Sequence, residues 1–317
     1  MALKPEVKLL LEQLEQSGTS PTHELSLEEA RNGIAIEELA GEHVELESVV
    51  NRALDTNVGE VPVRIYTPVK SEEALPVFVY YHGGGWVIGN LDSVDIPCRQ
   101  IASGSQCVVV SVDYRLAPEN KFPAAIDDSY AVIEWLIDHE KELNIDASRI
   151  AVGGDSAGGN IAAVVSLKAR DLDVNNIIQQ VLVYPVTDNN LKTSSYLDYA
   201  DGYFLTKDTM QWFWNHYLNS DSDGESPYVS PLKATNLKDL PPALVITAEY
   251  DPLRDEGEAY AKKLQEANIP VQLKRYDGVI HGFFWMAGLL EEGADAIKLV
   301  SSTLSKAFEN TTKDSLI

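Results

Sequence analysis

Residues 149–167 read Arg149-Ile150-Ala151-Val152-Gly153-Gly154-Asp155-Ser156-Ala157-Gly158-Gly159-Asn160-Ile161-Ala162-Ala163-Val164-Val165-Ser166-Leu167. The first six are short, apolar and glycine-ended, as a buried parallel strand reads. The residues from Gly159 to Leu167 carry enough alanine and leucine for a helix. Between them Gly154-Asp155-Ser156-Ala157-Gly158 fits G-x-S-x-G, the sharp strand-to-helix turn that pushes a serine hydroxyl out at the top of a parallel sheet. A nucleophile on so tight a turn has strained backbone angles, and a side chain at Gly154 or Gly158 would strike neighbouring backbone. The new helix aims its first N–H groups at the same spot, and Ala157 supplies one. A phosphate-binding turn is the rival reading. It lacks support: there is no Gly-Lys-Ser/Thr, and Gly153-Gly154-x-x-x-Gly158 has the wrong spacing for G-x-G-x-x-G.

Upstream stands a second glycine-rich loop, His82-Gly83-Gly84-Gly85, after the apolar run Leu75-Pro76-Val77-Phe78-Val79-Tyr80-Tyr81. It begins at a strand's carboxyl end, where open α/β sheets keep their ligands. Bare glycine backbone approaches a substrate closely, so the N–H groups of Gly83 and Gly84, with Gly85 as an alternative, are the expected donors to a developing oxyanion. His82 reads as a structural histidine fixing that loop. The two motifs together point to acyl transfer through a serine.

Such a serine needs a base, and the base an orienting carboxylate. Of six histidines, His23 and His43 fall in a polar amino-terminal stretch, His139 in a charged helix and His216 in an aromatic segment. His281 remains, in a loop after the strand-like Val271-Gln272-Leu273-Lys274-Arg275-Tyr276. For the acid, Asp251 follows the buried-strand run Ala243-Leu244-Val245-Ile246-Thr247-Ala248 within a turn. Its rivals are Glu249, which an extended strand would include, and Asp255, expected on a solvated helix face. The order Ser156, Asp251, His281 is that of an α/β-hydrolase triad. Asp155 is expected to support the serine from behind.

The chain resembles the hormone-sensitive-lipase-like esterases of the α/β-hydrolase superfamily. The resemblance rests on His82–Gly85, Tyr114-Arg115-Leu116-Ala117-Pro118-Glu119, Gly154–Gly159, Asp251-Pro252-Leu253-Arg254-Asp255-Glu256-Gly257 and His281-Gly282-Phe283. It implies a mostly parallel central sheet flanked by helices, with a helical cap. It also implies a carboxylesterase for short or medium acyl chains that uses no cofactor and no metal, with Ser156, Asp251 and His281 as triad and Gly83, Gly84 and Ala157 around the oxyanion. A lactonase, amidase or deacetylase shares every one of these residues. A non-catalytic small-molecule receptor on the same fold is the reading from another class, and His281 argues against it.

The chain of 317 residues has 44% hydrophobic residues, enough for a sizeable core. Its 25 basic and 49 acidic residues leave a net charge of −24. That surface repels nucleic acid and anionic lipid, leaving a small ester as the expected partner, with a homodimer allowed. Cys98 and Cys107 make no disulfide framework; Cys107 lies in the apolar run Ser105-Gln106-Cys107-Val108-Val109-Val110, read as a strand. No apolar run approaches the roughly 20 residues of a membrane span, and the charged start is not a secretory signal. A cytoplasmic protein is expected.

Helices are expected near 94–103, 123–143, 157–170, 253–267 and 290–310, with an early antiparallel strand at Gly59–Tyr66 and a loop at Asp146-Ala147-Ser148. Residues 188–236 are too long for a simple crossover and carry Tyr196, Tyr199, Tyr203, Phe204, Trp212, Phe213, Trp214 and Tyr217. They read as amphipathic helices using the aromatics as core, and as a cap inserted over the serine. The amino-terminal helices (1–42, with leucines at positions 3, 10 and 14) complete that cap. Residues 43–187 and 237–317 form the catalytic core. Trp86, Tyr184, Phe204, Leu205 and Trp212 are the candidate walls of an apolar substrate pocket.

Overall fold

The structure, a computed structural model, describes residues 2–18, 20–32 and 39–314, with side chains as far as residue 310. Its centre is one eight-stranded sheet. In chain order the strands are β1 (Ser48–Thr56), β2 (Gly59–Thr67), β3 (Leu75–Tyr81), β4 (Val108–Val112), β5 (Ile145–Asp155), β6 (Ile177–Val183), β7 (Ala243–Tyr250) and β8 (Val271–Ile280). They lie in the order β1-β2-β4-β3-β5-β6-β7-β8. β1 pairs antiparallel with β2, and β2 antiparallel with β4; every later pairing is parallel.

Both faces of β3 and β4 are dry, which is why these strands are near-continuous apolar runs rather than alternating ones, whereas β8, the far edge strand, is exposed from Gln272 to Arg275. Val77, Val79 and Tyr81 of β3 join one core cluster, while Phe78 and Tyr80 join the other. The first face is covered by α4 (Ala124–Asp138), α6 (Ala157–Asp171) and α9 (Arg254–Glu266). The second is covered by α3 (Asp95–Ser105) and α10 (Glu291–Asp314), which pack on each other.

The carboxyl ends of β3, β5, β7 and β8 share one edge of the sheet. β3 and β5 are neighbours there, yet β3 leads off through α3 to β4 on one side, while β5 leads through α6 to β6 on the other. Such divergence opens a crevice at the strand ends. Two further segments run to that edge. One contains α1 (Pro5–Ser17) and α2 (Leu27–Asn32); the other, between β6 and β7, contains α7 (Ser194–Asp198) and α8 (Lys207–Tyr217). The Lys4 N–H donates to the Gly278 carbonyl at the end of β8 (2.9 Å), and His23 reaches Thr209 of α8 (3.1 Å). The amino-terminal stretch therefore spans from β8 to α8. Residues 33–38 of the expected cap lie outside the described residues.

Several sequence expectations are corrected. Asp146-Ala147-Ser148 is not a separate loop: β5 begins at Ile145, and the pairing with β3 skips from Ile145 to Ile150 across a bulge. Asp146 accepts from the Ser148 N–H and from Arg149, holding that bulge without an apolar signal. The helix expected over 123–143 breaks at His139 into α4 and a short α5 (Glu140–Leu143). The run from Ser105 is not all strand, because Ser105 ends α3 and Gln106 turns back with φ 56°. Cys107 is buried between the two elements, and Cys98 is buried on α3.

Candidate active site

Ser156 sits between β5 and α6 with φ 56° and ψ −116°, a strained combination for a residue bearing a Cβ. The turn is held from both sides: the Ser156 N–H donates to the Val183 carbonyl (2.9 Å), and its carbonyl accepts from Asn160 and Val186. A Cβ on Gly158 would lie inside contact distance of the Tyr81 carbonyl oxygen, so only glycine lets α6 start so close to β3.

His281, after β8, points its Nε2 at Ser156 Oγ (3.0 Å) and its Nδ1 at Asp251 Oδ2 (2.8 Å). Asp251, just past β7, uses its other oxygen to accept the Leu253 N–H (2.9 Å). The carboxylate at Nδ1 keeps the ring proton there, so Nε2 is the acceptor facing the serine hydroxyl. Exposure is 8% for Ser156, 7% for His281 and zero for Asp251, so the relay is shielded from bulk water. Tyr184 follows β6 and packs its ring 4.4 Å from the His281 imidazole, and Phe283 backs Tyr184.

Asp155 and His82 build the floor. Asp155 Oδ1 accepts the Tyr80 hydroxyl (2.8 Å) and the Gly83 N–H (3.0 Å). Burial pushes its carboxyl above the usual carboxylate range, and the Tyr80 bond opposes that shift. The Gly83 N–H is thereby committed to Asp155 and does not point at a substrate, which corrects the expectation for Gly83. Among the described residues no hydrogen bond takes up the N–H of Gly84 or Gly85, and Ala157 is the first residue of α6, where a helix leaves its N–H unpaired. Gly84, Gly85 and Ala157 are therefore the available donors. Both glycines have positive φ (105° and 58°), and a Cβ on Gly85 would overlap the Phe213 ring of α8.

His82 is fully buried, stacks on Tyr114 (4.3 Å, 14°), and its Nδ1–H donates to the Gly83 carbonyl (2.7 Å). Burial drives its pKa down to about 4. The unfolded chain, near pH 6.5, takes up this proton first. The stability His82 contributes is therefore complete above about pH 6.5 and lost as pH falls toward 4. Between pH 7 and pH 4 the wild-type protein should lose about 3 kcal/mol more than His82→Gln, read from urea midpoints. Equal pH slopes in the two proteins would contradict the assignment.

The remaining candidates divide. Trp86 is a packed core ring rather than a pocket wall: it is fully buried, stacked on Tyr217 (4.2 Å, 4°) and beside Trp214 (4.7 Å). Trp212 is half-buried against Phe213 and His216. Phe204 has φ 72° and meets Trp285, three residues beyond Gly282, while Leu205 is buried. Glu249 is still in β7, as one reading allowed, and accepts the Gly278 N–H (2.7 Å).

Asp255 is not on a solvated face. It accepts the Ser195 N–H (2.8 Å) and ties α7 to α9. Glu256, for which the sequence suggests no role, is buried and accepts the Thr187 N–H (2.7 Å) where the chain leaves β6. Burial pushes its carboxyl well above the ordinary range. The acidic run 251–258 thus fastens the β6–β7 segment beside the relay.

Comparison with known proteins gives the family. The family described as alpha/beta hydrolase fold matches residues 78–285. An ethyl acetate hydrolase of Pseudomonas putida is 37% identical over 96% of this chain and 99% of its own length. A carboxylesterase of Mycobacterium tuberculosis is 43% identical over 78% of this chain and 79% of its own. Among solved structures, an ester hydrolase from the metagenome of Lake Arreo superposes with a TM-score of 0.93 at 40% identity, covering 97% of this chain and 99% of that one. An esterase of Pyrobaculum calidifontis gives 0.88 at 40% identity, covering 96% and 98%. This chain belongs to the alpha/beta-hydrolase fold family, in its hormone-sensitive-lipase-like group.

Proposed function

We propose that the protein is a serine carboxylesterase acting on short- to medium-chain acyl esters, with Ser156, His281 and Asp251 as its triad. The observation that carries the reading is the unbroken relay from Ser156 Oγ through His281 to Asp251, at 3.0 and 2.8 Å, on a strained serine beside unpaired backbone donors.

Ser156 Oγ attacks the ester carbonyl while His281 Nε2 takes its proton, then passes it to the departing alcohol. Asp251 holds the imidazole in the required tautomer and stabilises the imidazolium. The N–H groups of Gly84, Gly85 and Ala157 receive the oxyanion; one such donor contributes roughly 3–4 kcal/mol, or about 10²–10³ in rate. Water repeats the sequence on the acyl-enzyme and releases the acid.

Residues 188–236 and the amino-terminal helices act as the cap in this reading. Phe213 lying on Gly85 and the near-complete burial of Ser156 support it. Phe204 and Leu205, with Trp285 and Tyr184, line the acyl or alcohol pocket. Among the described residues no helix is long and apolar enough to cross a membrane.

A series of aryl esters of increasing acyl length tests the substrate class. The expected kcat/KM peaks at short or medium chains; a peak at long chains would overturn the preference.

A further inference from the structure

The glycine loop carries no side chain from Gly83 to Gly85, so hydrogen bonds to its backbone fix where its N–H groups point: Asp155 takes the Gly83 N–H, and His82 holds the Gly83 carbonyl. The Gly84 carbonyl accepts two more, from Val87 (3.0 Å) and Ile88 (2.9 Å). In a trans peptide the carbonyl and the next N–H point in opposite directions. Whatever orients the Gly84 carbonyl therefore aims the Gly85 N–H.

Val87 is itself held from outside the loop. Arg31, on α2, donates its Nε–H to the Val87 carbonyl (2.9 Å) and an Nη2–H to the Ala117 carbonyl (3.0 Å). The Ala117 N–H donates in turn to the Trp86 carbonyl (2.9 Å). The far edge of the guanidinium meets Glu119 in a bidentate pair (2.8 and 2.7 Å). That pair holds the Glu119 carboxyl down to about 2. Glu119 is 53% exposed and Arg31 30%, so the ion pair is largely screened, whereas the two carbonyl contacts face inward. A planar fork suits this position, because lysine carries the charge but cannot place donors on both carbonyls and the carboxylate at once.

We propose that Arg31 is a positioning residue for the oxyanion donors. By clamping the Val87 and Ala117 carbonyls it fixes the turn that aims the Gly85 N–H, and so brings the amino-terminal segment into the catalytic cycle without touching substrate. The inference rests on the esterase reading above. It also gives Ala117 of the Tyr114–Glu119 motif a purpose there, as one of the two carbonyls that the guanidinium holds.

The test compares wild type, Arg31→Ala, Arg31→Lys and Glu119→Gln on an aryl butyrate, with kcat expressed per serine titrated by an organophosphate. Counting titrated serines removes any loss from unfolded protein. Loss of an entire oxyanion donor costs about 10²–10³ in rate, so a misaimed one should cost about tenfold. Arg31→Ala should therefore lose about tenfold in kcat with KM changed less than about twofold, and Arg31→Lys should lose several-fold. Glu119→Gln should stay within about twofold, since it leaves both carbonyl contacts in place. An unchanged kcat in Arg31→Ala, a loss carried wholly by KM, or an equal loss in Glu119→Gln overturns the proposal while leaving the esterase reading intact. A wild-type protein that hydrolyses no ester overturns both.

Discussion

Ser156→Ala should lower ester hydrolysis by at least about 10⁴ while the protein keeps its fold. The substitution removes one atom, Oγ, which among the described residues has a single hydrogen-bond partner, His281 Nε2. The bonds that hold the turn, from Ser156 N–H to Val183 and from Asn160 and Val186 to its carbonyl, involve backbone alone and remain. Alanine also keeps the same Cβ in the strained φ of 56°, so the elbow gains no new clash. In the proposed mechanism what is lost is the nucleophile, and with it the acyl-enzyme route; the proposed donors of Gly84, Gly85 and Ala157 remain and should leave a residual rate. Turnover and thermal unfolding measured on the same preparation check this. Near-normal turnover in the variant contradicts it.

Asp251→Asn should cost about 10³–10⁴ in kcat with little change in KM. The carboxylate has one oxygen on His281 Nδ1 and the other on the Leu253 N–H, with no exposed surface. An asparagine oxygen satisfies only one of these donors. If it stays on Leu253, its NH₂ faces Nδ1 and drives the imidazole proton to Nε2, where it blocks the base. If it turns toward His281, the NH₂ meets the Leu253 N–H, and a buried donor goes unpaired. The first arrangement inactivates the enzyme; the second destabilises it by about 1–3 kcal/mol. Steady-state kinetics paired with urea titration separates the two, and a variant normal in both would contradict Asp251 as the acid. Asp255 offers no relief, since it is occupied by Ser195.

Much of this was legible because burial on both faces leaves a plain imprint. Runs such as residues 75–81 and 243–248 are apolar at every position but Thr247, since over these stretches neither face of β3 or β7 is open to water. The motifs at their carboxyl ends then had to converge on one edge. β1 left no such imprint: it is an edge strand with mostly exposed or half-exposed side chains, so no apolar run marks it. The choice between Gly83 and Gly85 was not legible either. It turns on which N–H the Asp155 carboxylate captures, and a peptide plane's direction is not written in three identical residues.

Partnerships across long separations were hidden for a similar reason. Asp255 with Ser195, Glu256 with Thr187 and Arg31 with Val87 each join segments 56 to 69 residues apart, with no local pattern to announce them. The Asp251–Gly257 motif contains two of these residues without saying what they hold. Arg31 carried no signal at all in a stretch that reads as a polar helix. Trp86, beside the glycines in sequence, reads as a pocket wall, whereas in the fold α8 brings Tyr217 and Trp214 onto its ring.

Covalent labelling tests the central claim most directly. An aryl phosphonate ester incubated with the native protein, followed by digestion and mass spectrometry, should place one adduct per chain on the peptide containing Ser156, with activity lost in proportion. Complete labelling of another residue, or inactivation with Ser156 unmodified, would contradict the account.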